Sequence, residues 1–298
     1  MLLVVLFAAT DVVPLWSKGQ VPGERPGTFG PEAPSFPFPD DEHITNVTWP
    51  TLTPFLLPAP SSGRRSVVVV APGGGYHILA WNKEGTDIAR WLNSIGISAL
   101  ILKYRVPARP WLAFGDAPLM DAQRAIGLVR EMATSKPSLG LNASSVGLIG
   151  FSAGGHLSAH VATTCSTAPK KRSYQPVDTA DSLSCRPDFS LLIYPWRLTE
   201  DAPHLNVTAA HPPAFLAQAE DDPTAPILKC SLPYYGRLKT AGAPPSELHI
   251  YPRGGHGYGR CTVGASKTMT EEVCSWDDRA ARFLLTTGAC CAPPTLVL

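Results

Sequence analysis

The sequence predicts an α/β fold: a mostly parallel central sheet with helices on both faces. Three observations carry this. From Ser66 onward short apolar runs alternate with segments of helical period, and the runs are rich in β-branched residues. Third, 44% of the 298 residues are hydrophobic against 16% charged, enough to bury a sizeable core and too apolar for bulk disorder.

The elements follow in order. Val67-Val68-Val69-Val70 reads as a buried strand. Ile88, Trp91, Leu92 and Ile95 fall at i, i+3, i+4 and i+7, so a helix with one apolar face is expected there. Residues 98–104 form a second strand. Asp116 is placed to cap a helix whose inner face is Ala125, Leu128, Val129 and Met132. The apolar run 145–149 is a strand, and residues 155–165 can be helical. Residues 189–194 and 214–218 are further strands, followed by a helix over about 227–241 and a strand over 247–251. Trp276, Ala280, Phe283, Leu284 and Thr287 line one side of a closing helix. The prolines cluster between Pro14 and Pro60, an extended and loop-rich stretch. The organisation expected is a lead segment at 1–20, a proline-rich N-terminal extension at 21–65, an α/β domain at 66–287 and a loose tail at 288–298.

Between the run 145–149 and the following helix stands Gly150-Phe151-Ser152-Ala153-Gly154. Strand, G-x-S-x-G, helix is the context of a nucleophile elbow, a turn so tight that the positions two before and two after the serine must be nearly free of side chain. A serine hydroxyl is almost inert at neutral pH and needs a base, which in turn needs an orienting acid. In chain order an acid and a histidine should follow, each after a strand. After 214–218 comes Glu220-Asp221-Asp222-Pro223-Thr224-Ala225-Pro226, and after 247–251 comes Gly254-Gly255-His256-Gly257-Tyr258-Gly259. A histidine among four glycines has little to pack against, so His256 is read as the base. Asp222 is preferred to Asp221 as the acid, with Glu220 and Asp221 read as solvated loop charges. The loop Ala71-Pro72-Gly73-Gly74-Gly75-Tyr76 offers backbone N–H groups to a developing oxyanion, and the N–H of Ala153 is the second donor expected.

Other residues take plainer readings. His156 and His160 are read as structural. His77, His204 and His211 are scattered without H-E-x-x-H or C-x-x-C spacing, so no metal and no cofactor is expected. Tyr76, Trp81, Trp111, Phe114, Tyr194, Trp196 and Tyr258 sit near strand ends, where some can form an acyl or sugar-stacking wall. The net charge is +1, and Lys170-Lys171-Arg172 reads as a solvated loop, so neither a nucleic-acid partner nor an anionic membrane is indicated.

The apolar run from Met1 to Ala9 looks like part of a secretory signal, although it lacks a basic start. Sequons at Asn46, Asn142 and Asn206, each placed in a loop, point the same way. Seven cysteines fit an oxidising compartment, with Cys165–Cys185 and Cys261–Cys274 as the pairings expected and one thiol left over. No apolar run approaches the ~20 residues that span a bilayer. A secreted protein is the expectation.

With these residues in hand, the chain resembles the α/β-hydrolase superfamily, in particular its feruloyl-esterase-like and acetylxylan-esterase-like branch. The motifs that carry the resemblance are Ala71-Pro72-Gly73-Gly74-Gly75-Tyr76, Leu100-Ile101-Leu102-Lys103-Tyr104-Arg105, Asp121-Ala122-Gln123-Arg124-Ala125 and Gly150 to His156. It continues through Ala219-Glu220-Asp221-Asp222 and Glu247 to Gly259, covering about Ser66 to Leu285. The resemblance implies Ser152 as nucleophile, His256 as base, Asp222 as orienting acid, and Gly74, Gly75 and Ala153 as oxyanion donors. It further implies a serine esterase acting on acetyl or feruloyl esters of polysaccharide, or on small esters. The chain departs from the family's Asp-x-x-Val-Pro, since Asp222-Pro223-Thr224-Ala225-Pro226 has a proline after the acid and alanine for valine. Pro72 stands where many members have the histidine of His-Gly-Gly-Gly. Two rivals remain: a prolyl-oligopeptidase-like serine peptidase, for whose propeller residues 1–65 are too few, and a non-catalytic binding protein on the same scaffold.

Overall fold

A computed structural model describes residues 11–38, 41–167, 171–263 and 269–289. The expected signal segment from Met1 to Ala9, Lys170, the pair Cys290-Cys291 and the tail beyond Ala289 lie outside the described residues.

The lead-in carries β1 (Val13–Pro14), β2 (Ala33–Phe38), β3 (Asp41–Thr45) and β4 (Thr51–Phe55). There follow β5 (Arg65–Ala71), β6 (Leu79–Ala80), a π-helical turn at Asn82–Thr86, α1 (Asp87–Ser94), β7 (Ser98–Lys103) and α2 (Asp116–Ser135). Next come β8 (Leu141–Phe151), α3 (Ala153–Thr167), β9 (Phe189–Ile193), β10 (Ala214–Ala219) and α4 (Ser231–Thr240). The chain closes with β11 (Glu247–Tyr251), α5 (Glu271–Cys274) and α6 (Trp276–Thr286). The main sheet has the order β1-β4-β7-β5-β8-β9-β10-β11. Its members from β7 to β11 in that order run parallel, and β4 joins antiparallel through Thr51–Phe55 opposite Lys103–Ala99. A small antiparallel sheet, β2-β3-β6, stands beside it.

Side-chain alternation along the strands feeds two separate cores. Val67 and Val69 of β5, Leu100 and Leu102 of β7, and Leu148 of β8 pack under α2 and α3. Val68, Val70, Ala99, Ile101 and Ile149 face the other way, under Ile88, Trp91 and Leu92 of α1 and Trp276, Phe283 and Leu284 of α6. Each fully buried side chain of this kind is worth roughly 1.5–3 kcal/mol. Two-sided burial explains why β5, β7 and β8 read as continuous apolar runs.

Several expectations change. The proline-rich stretch is more than a lead-in, because β1 and β4 extend the main sheet. Trp16 Nε1 donates to Asp121 Oδ1 at 2.9 Å, and Arg105 Nε donates to Asp121 Oδ2 at 2.9 Å, in a wholly buried cluster. The Arg105 and Asp121 motifs therefore fasten the extension onto α2. Arg172 is not solvated. Its side chain is fully buried, donating to the carbonyls of Gln123 and Leu183 and facing Asp181 at 3.3 Å. Asp116 makes no side-chain cap; Gly115, at φ 82°, precedes the helix instead. Asn142 lies within β8, not in a loop. The helix expected over 227–241 begins only at Ser231, after a 3₁₀ turn at Ile227–Lys229. Disulfides join Cys165 to Cys185 and Cys261 to Cys274, while Cys230 is a buried thiol. Among the described residues no helix is long and apolar enough to cross a membrane.

Candidate active site

Three strand ends deliver the site. At the end of β8 the backbone of Ser152 takes φ 51°, left-handed and strained for a serine. A Cβ at Gly150 would stand 2.0 Å from Gly154 O, and one at Gly154 would stand 2.1 Å from Ala71 O, so neither position admits a side chain. The turn is pinned by Ser152 N–H on Ile193 O at 3.0 Å, and Ser152 O accepts from His156 N at 3.0 Å and Trp196 N at 3.1 Å.

Ser152 Oγ lies 2.8 Å from His256 Nε2, and His256 Nδ1 lies 2.7 Å from Asp222 Oδ2. The Asp222 side chain is wholly buried, and its Oδ1 accepts from the amides of Thr224 at 2.9 Å and Ala225 at 2.8 Å. An ionised carboxylate can only accept, which puts the imidazole proton on Nδ1 and leaves Nε2 to take the serine proton. Of the adjacent acids, Asp222 meets the imidazole. Asp221 has its own task, accepting the Gly255 amide at 2.8 Å and so holding the His256 loop. The departure from Asp-x-x-Val-Pro does no visible harm, since the amides after Pro223 bind the acid.

Beside Ser152 is a cavity of about 300 Å³ bordered by Gly74, Gly75, Ile78, Trp196 and His256. Gly74 has φ 127°, and a Cβ there would strike Ile78 O at 2.2 Å, so this turn requires glycine. Its carbonyl is held by the amides of His77 at 2.9 Å and Ile78 at 3.2 Å. Outside the regular helix and strand bonds, none of the backbone bonds found among the described residues has the N–H of Gly74, Gly75 or Ala153 as donor. A cavity of about 410 Å³ beside Lys18, Glu24, Phe29 and Trp49 is larger, but it borders none of these groups. The smaller one borders both Ser152 and His256.

Sequence reasoning missed Glu84. It stands in the π-helical turn, is almost wholly buried and borders the same cavity. Its Oε2 accepts Gly73 N–H at 2.6 Å and its Oε1 accepts the Tyr194 hydroxyl at 2.9 Å. Burial pushes its carboxyl up, opposed by these hydrogen bonds and by His256. In sequence it reads as one more charge in the first turn of a helix, and nothing local marks it. A π turn at such a place is a common companion of functional sites.

The remaining candidates separate. Of the seven aromatics, Trp196 lines the cavity. Tyr76, Tyr194 and Tyr258 are core residues, and Phe114 is exposed on the flank, 6.2 Å from the Trp196 ring. On α3 His156 is buried and His160 half-buried, the latter pushed down to about 4 by desolvation. His211 is likewise pushed down to about 4 by burial, and its Nε2 meets Tyr234 Oη at 2.9 Å. Among the described residues no three His, Cys, Asp or Glu side chains are grouped to hold a metal.

A family model described as an alpha/beta hydrolase fold matches residues 68–211. An acetylxylan esterase of Xylanibacter ruminicola is 32% identical over 232 residues, 68% of this chain and 42% of that protein. An endo-1,4-beta-xylanase B of Butyrivibrio fibrisolvens is 25% identical over 217 residues, 65% of this chain and 32% of that protein. The chain thus spans less than half the length of either curated relative. Among solved structures, an acetyl ester-xyloside bifunctional hydrolase from Caldicellulosiruptor lactoaceticus superposes with a TM-score of 0.73 at 31% identity. That match covers 95% of this chain and 98% of that one.

Proposed function

This chain belongs to the α/β-hydrolase family, and we propose that within it the protein is a serine carboxylic-ester hydrolase working through Ser152, His256 and Asp222. The observation that carries the reading is the unbroken run of contacts, Oγ to Nε2 at 2.8 Å and Nδ1 to Oδ2 at 2.7 Å. His256 takes the Ser152 proton as Oγ attacks the ester carbonyl. The N–H groups of Gly74, Gly75 and Ala153 hold the oxyanion, worth about 3 kcal/mol for each donor that engages. His256 returns the proton to the departing alcohol, and water then hydrolyses the acyl-enzyme by the same route. Asp222 holds the imidazole tautomer and offsets the imidazolium charge. This route calls for no cofactor.

The relatives' names direct the substrate proposal toward acetyl esters of a xylan-type polysaccharide. The cavity, about 300 Å³, is at the low end of the range for ligand sites. The two disulfides fit an oxidising compartment, in line with secretion.

The test is p-nitrophenyl acetate turnover by wild type and by Ser152→Ala, with fluorophosphonate labelling in parallel. Turnover and labelling are expected in wild type and lost in the variant. Equal rates in the two proteins remove the esterase reading, and cleavage of a chromogenic dipeptide amide points to a peptidase instead.

A further inference from the structure

We infer that Glu84 is a positioning residue for catalysis, clamping the oxyanion loop to the histidine loop and setting a negative charge beside His256. The inference rests on Ser152 and His256 acting as proposed above.

The first ground is connectivity. Glu84 Oε2 holds Gly73, in the loop after β5. Glu84 Oε1 holds the Tyr194 hydroxyl, just after β9, and that hydroxyl accepts Gly259 N–H at 3.0 Å, in the loop after β11. One carboxylate and one phenol thus tie three loops: that of the oxyanion glycines, the loop that follows Ser152's neighbouring strand, and that of His256. With its N–H taken by Glu84, Gly73 is withdrawn from an oxyanion, and the donor role falls to the next amides.

The second ground is geometry under strain. Tyr194 holds φ 38°, a left-handed backbone that a tyrosine adopts only where its surroundings enforce it. Its ring sits 5.1 Å from the His256 ring and 4.4 Å from that of Tyr258. A Cβ on Gly73 would meet Glu84 Oε2 at 2.6 Å and Ser152 Cβ at 2.8 Å, so the carboxylate and the nucleophile's side chain both crowd the same glycine.

The third ground is charge. Around His256 stand Asp222 at 2.7 Å, Ser152 at 2.8 Å and the Tyr194 ring at 5.1 Å, and Glu84 borders the same cavity and interacts with the imidazole electrostatically. His43 also borders the cavity and lies 3.5 Å from Asp41, which in turn pairs with Lys83 at 3.0 Å. Lys83 also acts on Glu84, favouring its charged form, though less than His256 does. A buried carboxylate beside the imidazole favours the imidazolium that forms as Ser152 attacks.

Glu84→Gln keeps the volume and one acceptor but removes the charge; Tyr194→Phe keeps the charge but cuts the tie to Gly259. With p-nitrophenyl acetate, both variants should lose roughly tenfold to a hundredfold in kcat with KM little changed, the cost of a misplaced catalytic group. Only Glu84→Gln should also move the acidic limb of kcat/KM to lower pH, by about half a unit or more, because the imidazolium has lost a favourable neighbour. A Glu84→Gln protein with kcat within twofold of wild type, or with its acidic limb unmoved, overturns the inference. A lowered melting temperature alone counts against it, as a purely structural role. Failure of the esterase reading looks different, since wild type would then show no turnover that depends on Ser152.

Discussion

Two histidine–aspartate pairs flank the Ser152 elbow, and they have opposite characters. His256 stands among glycines, 17% of its side chain exposed, with Asp222 at 2.7 Å and a serine hydroxyl at 2.8 Å. His156 stands on α3, buried, with Asp201 Oδ2 at 2.9 Å from Nε2 and the Tyr76 hydroxyl at 2.8 Å from Nδ1. The composition of the two triplets is the same: hydroxyl, imidazole, carboxylate. What differs is access and the hydroxyl. Burial drives Tyr76 well above the ordinary tyrosine range, so its proton stays, and the side chain is buried. The Asp201 carboxylate lies at ion-pair distance from Nε2. One triplet borders the cavity beside Ser152; the other joins the glycine loop, through Tyr76, to α3 and to the 196–204 segment.

The sharpest way to break this contrast is to remove each imidazole. His256→Ala should cost about 10⁴- to 10⁶-fold in kcat on p-nitrophenyl acetate, and His156→Ala far less. Comparable losses in steady-state assays would erase the distinction. Next comes the acid. Asp222→Asn should cost about 10³- to 10⁴-fold in kcat by upsetting the tautomer, whereas Asp201→Asn should leave kcat within about tenfold. The smallest effect concerns stability. Asp201 is held at about 2, chiefly by His156 and then Arg197. A carboxylate depressed below its usual ~3.9 stabilises the fold above that value and loses the benefit as pH falls through its folded value. Urea unfolding should therefore show wild type more stable than Asp201→Asn at pH 5, with the gap narrowing between about pH 4 and pH 2. A gap that is constant with pH would mean that the Asp201 charge contributes nothing.

The parts of the site that were legible in sequence share one property: their signals are local. The elbow is spelled by glycines whose places nothing larger can take, and the acid and histidine announce themselves by falling after strands in chain order. Glu84 was illegible because its role depends on Gly73 and on Tyr194, 110 residues away, being brought to one carboxylate. The fold divides similarly. Strands buried on both faces read as apolar runs, but β4, interrupted by Pro54, did not. It tolerates that proline because β1 pairs with Thr51 and Leu52, leaving Pro54 without a ladder partner on that side among the described residues. Arg172 was misread because a charge run is normally solvated, and here its guanidinium answers carbonyls that only the folded chain assembles. The proline stretch hid a structural duty behind a composition typical of loops.

That duty has a practical consequence for anyone shortening the protein. Starting the polypeptide at Ser66 would strip β7 of its antiparallel neighbour and bare a long apolar ladder, an invitation to self-association. Asp121 would also forfeit the Trp16 indole while keeping its arginine. Such a fragment would retain every group that performs the proposed chemistry, and still be expected to precipitate before it could be assayed.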